Sequence, residues 1–261
     1  MSTEHPVRLR TTSGTSRAGS TPAGGRPEST ATPREQLLSR LLESADTTEL
    51  RDVFPGHLED IRRELTLFRL RYKFAIDEVS TKISILRQEF EETHDHSPIE
   101  HVRSRLKSST SLLAKVEKVG CELTMEAIEQ HIQDIAGIRV VCPFVSDVYW
   151  IKDMLTSQSD VTVVEVEDYI ATPKKNGYRS LHLIIKVPVY LSDRVVDVPV
   201  ELQIRTIAMD FWASVEHSIY YKYDGTVPPT LLDELGSAAR TAADLDATMA
   251  RLRSEVRSLR D

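Results

Sequence analysis

Two apolar runs, Leu181–Val189 and Val196–Ile204, are separated by too few residues to hold a crossover helix. Neighbouring parallel strands need a connection of roughly a dozen residues or more, so a sheet containing this pair cannot be wholly parallel. Upstream, the element types alternate. Ile99–Leu106, Ile135–Phe144 and Val161–Ile170 read as strands, while Ser109–Val119, Thr124–His131 and Ser146–Ser157 carry helical spacing. A further helix runs from Thr206 to about Tyr221. The predicted fold is α/β (α+β): a mixed β-sheet of about five strands flanked by helices.

Longer helices bracket this core. From Pro55 onward Leu58, Ile61, Leu65, Leu67, Leu70, Phe74, Ile76, Val79, Ile83, Ile85 and Phe90 recur at three- and four-residue intervals, with no Pro or Gly between Gly56 and Pro98. That pattern predicts about ten unbroken turns. Leu37, Leu38, Leu41 and Leu42 form a shorter stripe before it. Residues 1–34 are rich in Ser, Thr, Pro, Gly and Ala and hold five arginines against two glutamates. Such a segment cannot bury enough surface to offset its ordering entropy and is predicted to be a disordered tail. Pro228 and Pro229 open a last helix, where Leu231, Leu235, Ala238, Ala242, Leu245, Met249, Leu252, Val256 and Leu259 keep a 4-3 spacing. A seam of that period serves either the helix's own domain or a second copy of the chain. The predicted organisation is a tail over 1–34, a helical segment over 35–98, a central domain over 99–224 and an oligomerisation helix over 228–261.

Charge and cysteine content exclude some classes. The formal net charge is −7, so no global pull toward nucleic acid or anionic membrane exists, and any basic site must be local. Cys121 and Cys142 are too few for a disulfide framework. No apolar run approaches a membrane span and the N-terminus lacks the apolar core of a signal peptide, so a cytoplasmic protein without a membrane partner is predicted.

Chemistry concentrates in four segments. In Val200–Arg205, strand alternation puts Val200, Leu202 and Ile204 on one face and Glu201, Gln203 and Arg205 on the other. A Glu on such a row, facing a cleft, can hold Mg²⁺ or accept a proton. Asp134 opens the strand that follows it, and with Glu201 on a neighbouring strand it would complete a two-carboxylate magnesium site. Lys174-Lys175-Asn176-Gly177-Tyr178-Arg179 places cations and an aromatic ring on an Asn-Gly turn, which suits stacking on a base while phosphates are neutralised. Arg105, Lys107, Ser111 and Lys115 cluster where a helix begins, a place that attracts phosphate. Neither a G-x-x-x-x-G-K-[ST] loop nor a G-x-G-x-x-G is present. His94, Asp95 and His96 lack a partner pair at zinc-ligand spacing and read as a solvated helix end.

Together, Asp134–Arg139 (DIAGIR), Asn176–His182 (NGYRSLH), Glu201–Thr206 (ELQIRT) and Phe211–His217 (FWASVEH) resemble the synthetase domain of the RelA/SpoT alarmone family, over about Ile99 to Lys222. The resemblance implies a nucleotidyltransferase-like synthetase fold and transfer of the β,γ-pyrophosphate of ATP to the 3′-hydroxyl of GTP or GDP, giving (p)ppGpp and AMP. It implies Asp134 as the main Mg²⁺ ligand and Glu201 as metal ligand or general base. Arg105 and Arg139 would flank adenine, while Lys107, Ser111 and Lys115 would hold the ATP phosphates. Tyr178 would stack on guanine, with Lys174, Asn176, His182 and Gln203 ordering the acceptor nucleotide. Small alarmone synthetases of this family lack a hydrolase domain and assemble as homotetramers through terminal helices, which the 4-3 seam matches. GTP, GDP and GMP as acceptors, and (p)ppGpp or RNA as an allosteric ligand, are all compatible with these residues. The alternative reading is a catalytically weak nucleotide- or RNA-binding regulator of the same fold.

Overall fold

The computed structural model describes residues 58–222 and 228–259, together with Thr32, Gln36 and 38–40. The tail predicted over 1–34 and most of the short leucine stripe lie outside these residues, although Leu38 is buried in the main core. The elements are α1 (Leu58–Thr93), β1 (His101–Leu106), α2 (Ser109–Val119), α3 (Met125–His131), β2 (Ala136–Cys142), α4 (Val145–Thr156), β3 (Thr162–Asp168), β4 (Leu181–Tyr190), β5 (Val195–Thr206), α5 (Ile207–Lys222) and α6 (Pro229–Ser258). Ser108 caps α2 by accepting from Ser111 N, and Thr124 caps α3 by accepting from Ala127 N. Gly120 ends α2 in the left-handed region, at φ 72°.

The five strands form one sheet in the order β1-β2-β5-β4-β3. β2 and β5 pair in parallel and the other three pairings are antiparallel, so the sheet is mixed as the short β4–β5 connection requires. One face is apolar. Ile138 and Val140 of β2, Leu183 and Ile185 of β4, and Val200, Leu202 and Ile204 of β5 are buried in a single core with residues of α1 and α4. At about 1.5–3 kcal/mol for each fully buried aliphatic side chain, this face anchors the fold.

Three details differ from the sequence reading. On α1 the buried stripe runs through Ile61, Phe68, Tyr72, Ala75, Ile76, Val79 and Ile83, whereas Leu67, Phe74 and Ile85 are exposed. The sheet selects one face of a helix that is apolar on more than one side. His96 is not a solvated helix end: its Nε2 lies 2.8 Å from Asp147 Oδ2, and the same buried carboxylate receives Arg253 Nη1 from α6 at 2.8 Å. A buried carboxylate needs such partners, and tertiary contact brings them from distant segments. On α6, Leu235, Ala239 and Asp246 are buried against the domain, while seam residues Leu245 (48% exposed), Met249 (44%) and Leu252 (41%) are left open. The helix therefore docks through stripe residue Leu235 together with Ala239 and Asp246 from beside the stripe, and leaves the later part of the stripe open. No helix among the described residues is long and apolar enough to cross a membrane.

Candidate active site

The sheet's other face is polar, and the register lines its residues up in rows. Arg105 pairs with Gly137, Gly137 with Glu201, Glu201 with Ile184 and Ile184 with Glu165. One row along, Arg103, Arg139, Gln203, His182 and Glu167 follow in the same order. Cations thus gather at the β1 edge and carboxylates at the β3 edge, with Glu201 midway. Gly137 supplies no side chain between Arg105 and Glu201, so the floor stays open there.

Two cavities meet at Glu201. The smaller, about 250 Å³, is lined by Lys115, His131, Asp134, Glu165, Glu167, His182 and Glu201 among others. The larger, about 660 Å³, takes Arg103, Arg105, Arg139, Tyr178, Glu201, Gln203, Arg205 and His217 into its wall. In the smaller one Asp134 Oδ2 accepts from Lys107 Nζ at 2.8 Å and from Lys115 Nζ at 2.9 Å. Burial alone would raise the Asp134 pKa, but the two lysine hydrogen bonds and charges outweigh it and hold the group below the usual carboxylate value. Asp134 Oδ1 is buried with no hydrogen-bond partner among the described residues. A half-satisfied carboxylate that shares its cavity with Glu201 fits a hard divalent cation, and Mg²⁺ takes one or two carboxylates with phosphate and water completing its shell.

Tyr178 sits in the larger cavity within a hydrogen-bonded network. Its Oη lies 2.8 Å from His182 Nε2 and accepts from Arg205 Nη2 at 3.2 Å, and Arg205 also donates to Gln203 Oε1 at 2.6 Å. Lys174 Nζ is 4.1 Å from the Tyr169 ring centroid and 5.4 Å from that of Tyr178. Asn176 Oδ1 accepts from Tyr178 N at 3.1 Å, an Asx turn that closes the loop locally. Burial, then the charges of Arg205 and Lys174, push the His182 pKa down from 6.5 to about 4. The imidazole is neutral at pH 7, so its 3.7 Å approach to Glu201 is not an ion pair.

That shift has a stability consequence. Between pH 6.5 and about 4 the unfolded chain protonates His182 while the folded chain does not, so stability falls as pH falls through this window. His182→Gln is expected to remove about 2–3 kcal/mol of acid sensitivity between pH 7.5 and 4.5. Urea melts of both proteins at the two pH values check it. Equal losses on acidification would exclude His182 as the source.

The structure brings most of the sequence-assigned residues together and sets some apart. Asp134, Lys107 and Lys115 cluster, and Arg105, Arg139, Tyr178, Gln203 and Glu201 share the larger cavity. Both lysines face Asp134 directly. Ser111 is exposed at the start of α2, where its Oγ accepts from Ser108 Oγ. Asn176 turns toward α5, donating to Glu216 Oε1 at 3.1 Å. Sequence reasoning gave no role to Arg205, which is 2% exposed and also approaches Asp210 at 3.6 Å, nor to Glu165, Glu167 and Glu216. The alternation that flagged Glu201 and Gln203 extends to Arg205; the β3 glutamates carry no signal until β4 aligns them with the cleft.

Comparison with known proteins matches this geometry to one family. A model of the region found in RelA / SpoT proteins matches residues 104–226, and GTP pyrophosphokinase YwaC of Bacillus subtilis (strain 168) is 52% identical over 208 residues, or 78% of this chain and 99% of that protein. The chain belongs to the RelA/SpoT family. The crystal structure of small alarmone synthetase 2 from Bacillus subtilis superposes with a TM-score of 0.68 at 49% identity, covering 74% of this chain and 99% of that one. Small alarmone synthetase 1 from the same organism, bound to its product pppGpp, gives 0.69 at 41% identity, covering 74% and 98%. Asp134, Tyr178, Glu201 and Arg205 all fall inside the RelA/SpoT match, whereas α6 lies beyond it.

Proposed function

We propose that this chain is a (p)ppGpp synthetase, transferring the β,γ-pyrophosphate of ATP to the 3′-hydroxyl of GTP or GDP and releasing AMP. The observation that carries this reading is the position of Glu201, in the wall of both cavities, between the Asp134–lysine cluster and the arginine- and tyrosine-lined cleft. Arg105 and Arg139 flank the adenine, and Lys107, Ser111 and Lys115 hold the ATP phosphates. Tyr178 stacks on guanine, held in plane by His182 and Arg205. Lys174, Asn176 and Gln203 order the acceptor, and Glu201 receives the proton of the 3′-hydroxyl as that oxygen attacks the β-phosphorus. Asp134 and Glu201 would hold Mg²⁺, which when bound neutralises phosphate charge. Pyrophosphoryl transfer needs little covalent help, so positioning and charge neutralisation supply most of the acceleration.

The decisive test incubates the protein with ATP, Mg²⁺ and GTP, GDP or GMP in turn, with products resolved by anion exchange. AMP and a 3′-pyrophosphorylated guanosine are expected in equal amounts, both absent with Glu201→Gln. Nucleotides that bind but survive intact would replace this reading with that of a regulator.

The chain further assembles as a homotetramer in this proposal, through the open stripe of α6. Leu245 and Met249 line an apolar groove between α5 and α6 together with Phe211, which is 71% exposed, and Leu252 is exposed further along the same stripe. An exposed apolar strip of this period is covered by a second copy of itself at little cost. Leu245→Glu with Met249→Glu is expected to lower the mass found by light scattering toward that of one chain, with the melting temperature of the monomer unchanged. An unaltered mass would place the interface elsewhere.

A further inference from the structure

The Phe211–His217 motif has no role in the mechanism above, and α6 lies outside the family match. The two helices meet beneath the Tyr178 loop. Trp212 and Ala213 of α5 and Ala239 of α6 form a second small core, separate from the main one, with Tyr178 and Ala242 packed against it. Two bonds fix α6 in place there. Trp212 Nε1 donates to Leu235 O at 3.0 Å, and Thr206 Oγ1, which accepts from Met209 N, donates to the buried Asp246 Oδ2 at 2.8 Å. Against this seat the loop approaches with bare backbone. A Cβ on Gly177 would stand 2.5 Å from the Ala239 Cβ, and Gly177 itself has φ +89°. At the next residue, the Tyr178 ring centroid is 6.5 Å from that of Trp212.

We infer that Ala239 is a positioning residue for the acceptor nucleotide: its methyl group against Gly177 sets how deeply the loop seats, and with it the placement of the Tyr178 ring. The inference rests on the reading of Tyr178 as the ring that stacks on guanine. The contact is tight from both sides. A larger side chain at 239 lifts the loop, and any side chain at 177 meets Ala239 as well as an unfavourable backbone angle. The effect is directional, because the phosphate-binding group lies elsewhere: Lys115 and Asp134 line the smaller cavity and Lys107 donates to Asp134, whereas Tyr178 and Ala213 line the larger one. Binding of the acceptor therefore responds to residue 239, while binding of ATP does not.

The test compares Ala239→Val with Ala247→Val, which adds the same β-branched side chain at an exposed position of the same helix. Ala239→Val is expected to raise KM for GDP about tenfold, with KM for ATP and kcat at saturation within about twofold. Ala247→Val leaves all three unchanged. Amide exchange of residues 170–180 in the nucleotide-free proteins reads the seat itself, and faster exchange is expected in Ala239→Val alone. A second pair separates fit from fold: with Ala239→Gly, the nearest atom to a methyl on Gly177 becomes the residue 239 Cα at 4.0 Å. Gly177→Ala combined with Ala239→Gly should then bind GDP more tightly than Gly177→Ala alone, leaving only the backbone strain. Identical KM and exchange in the two valine variants, or strict additivity in the second pair, overturns the inference. If the unaltered protein fails to turn over guanine nucleotide, the proposed function falls, while the exchange comparison still decides whether Ala239 seats the loop.

Discussion

Asp134→Asn is expected to lower kcat by about 10³-fold or more, the largest loss among single substitutions in this cleft. Asparagine keeps the size of the side chain and an oxygen for one lysine, so the loss reports charge instead of shape. Asp134 Oδ2 already holds Lys107 and Lys115, and Oδ1 is buried without a partner among the described residues, which leaves one oxygen available to a divalent cation. Neutralising it removes the cation's anchor and leaves two ammonium groups without a counter-charge. Initial rates of AMP formation over a series of Mg²⁺ concentrations check this, and excess Mg²⁺ should not restore the wild-type rate. A loss smaller than tenfold would remove Asp134 from the centre of the mechanism. Stability has its own sign. The folded pKa of Asp134 lies below its ordinary value, so the stabilisation it gives is present above that value and disappears as pH falls through the lower, folded one. Asp134→Asn should therefore melt at a lower temperature than the wild type at pH 7, with the gap closing at strongly acidic pH.

Glu201→Gln is expected to lower kcat by roughly 10²–10⁴-fold, the range for loss of a positioned general base. The change is isosteric, and Glu201 is bordered by Gly137, Ile184 and His182 without a strong ion pair, so the fold should be unaffected. The same variant separates two roles. If the carboxylate acts only as base, the Mg²⁺ concentration for half-maximal rate stays put while kcat falls. If it also binds the cation, that concentration rises in parallel. Residual activity within tenfold of wild type would assign the proton to another acceptor.

How much of this was legible beforehand differs by element. The mixed sheet followed from the β4–β5 spacing, because chain length limits which connections exist. The face of β5 that carries Glu201 followed from alternation, which a strand cannot escape. Helix faces were less secure. On α1, Leu67, Phe74 and Ile85 fit the helical period yet are exposed, because Phe68, Tyr72 and Ala75 fill the sheet-facing side instead. On α6 the heptad stripe was visible, but the domain buries only its Leu235, with Ala239 and Asp246 from beside it, and leaves Leu245, Met249 and Leu252 open.

Within the site, the local sequence marked each residue whose chemistry is rare on a strand or turn: Asp134, Glu201, Gln203 and the Tyr178 loop. It could not mark Arg205 as the bond between Tyr178 and Gln203, nor Glu216 as the partner of Asn176, since these pairs are far apart in the chain. The contact of Gly177 with Ala239 belongs to the same class. By itself, then, the sequence determined the element types, the polar face of the sheet and the candidate reacting groups, all set by periodicities and side-chain chemistry that act over a few residues. The tertiary structure alone decided which rows align across five strands, which carboxylate the lysines neutralise and which helix seats the Tyr178 loop. Those depend on strand register and helix docking, where burial of one apolar face selects a single arrangement among many that the local pattern allows.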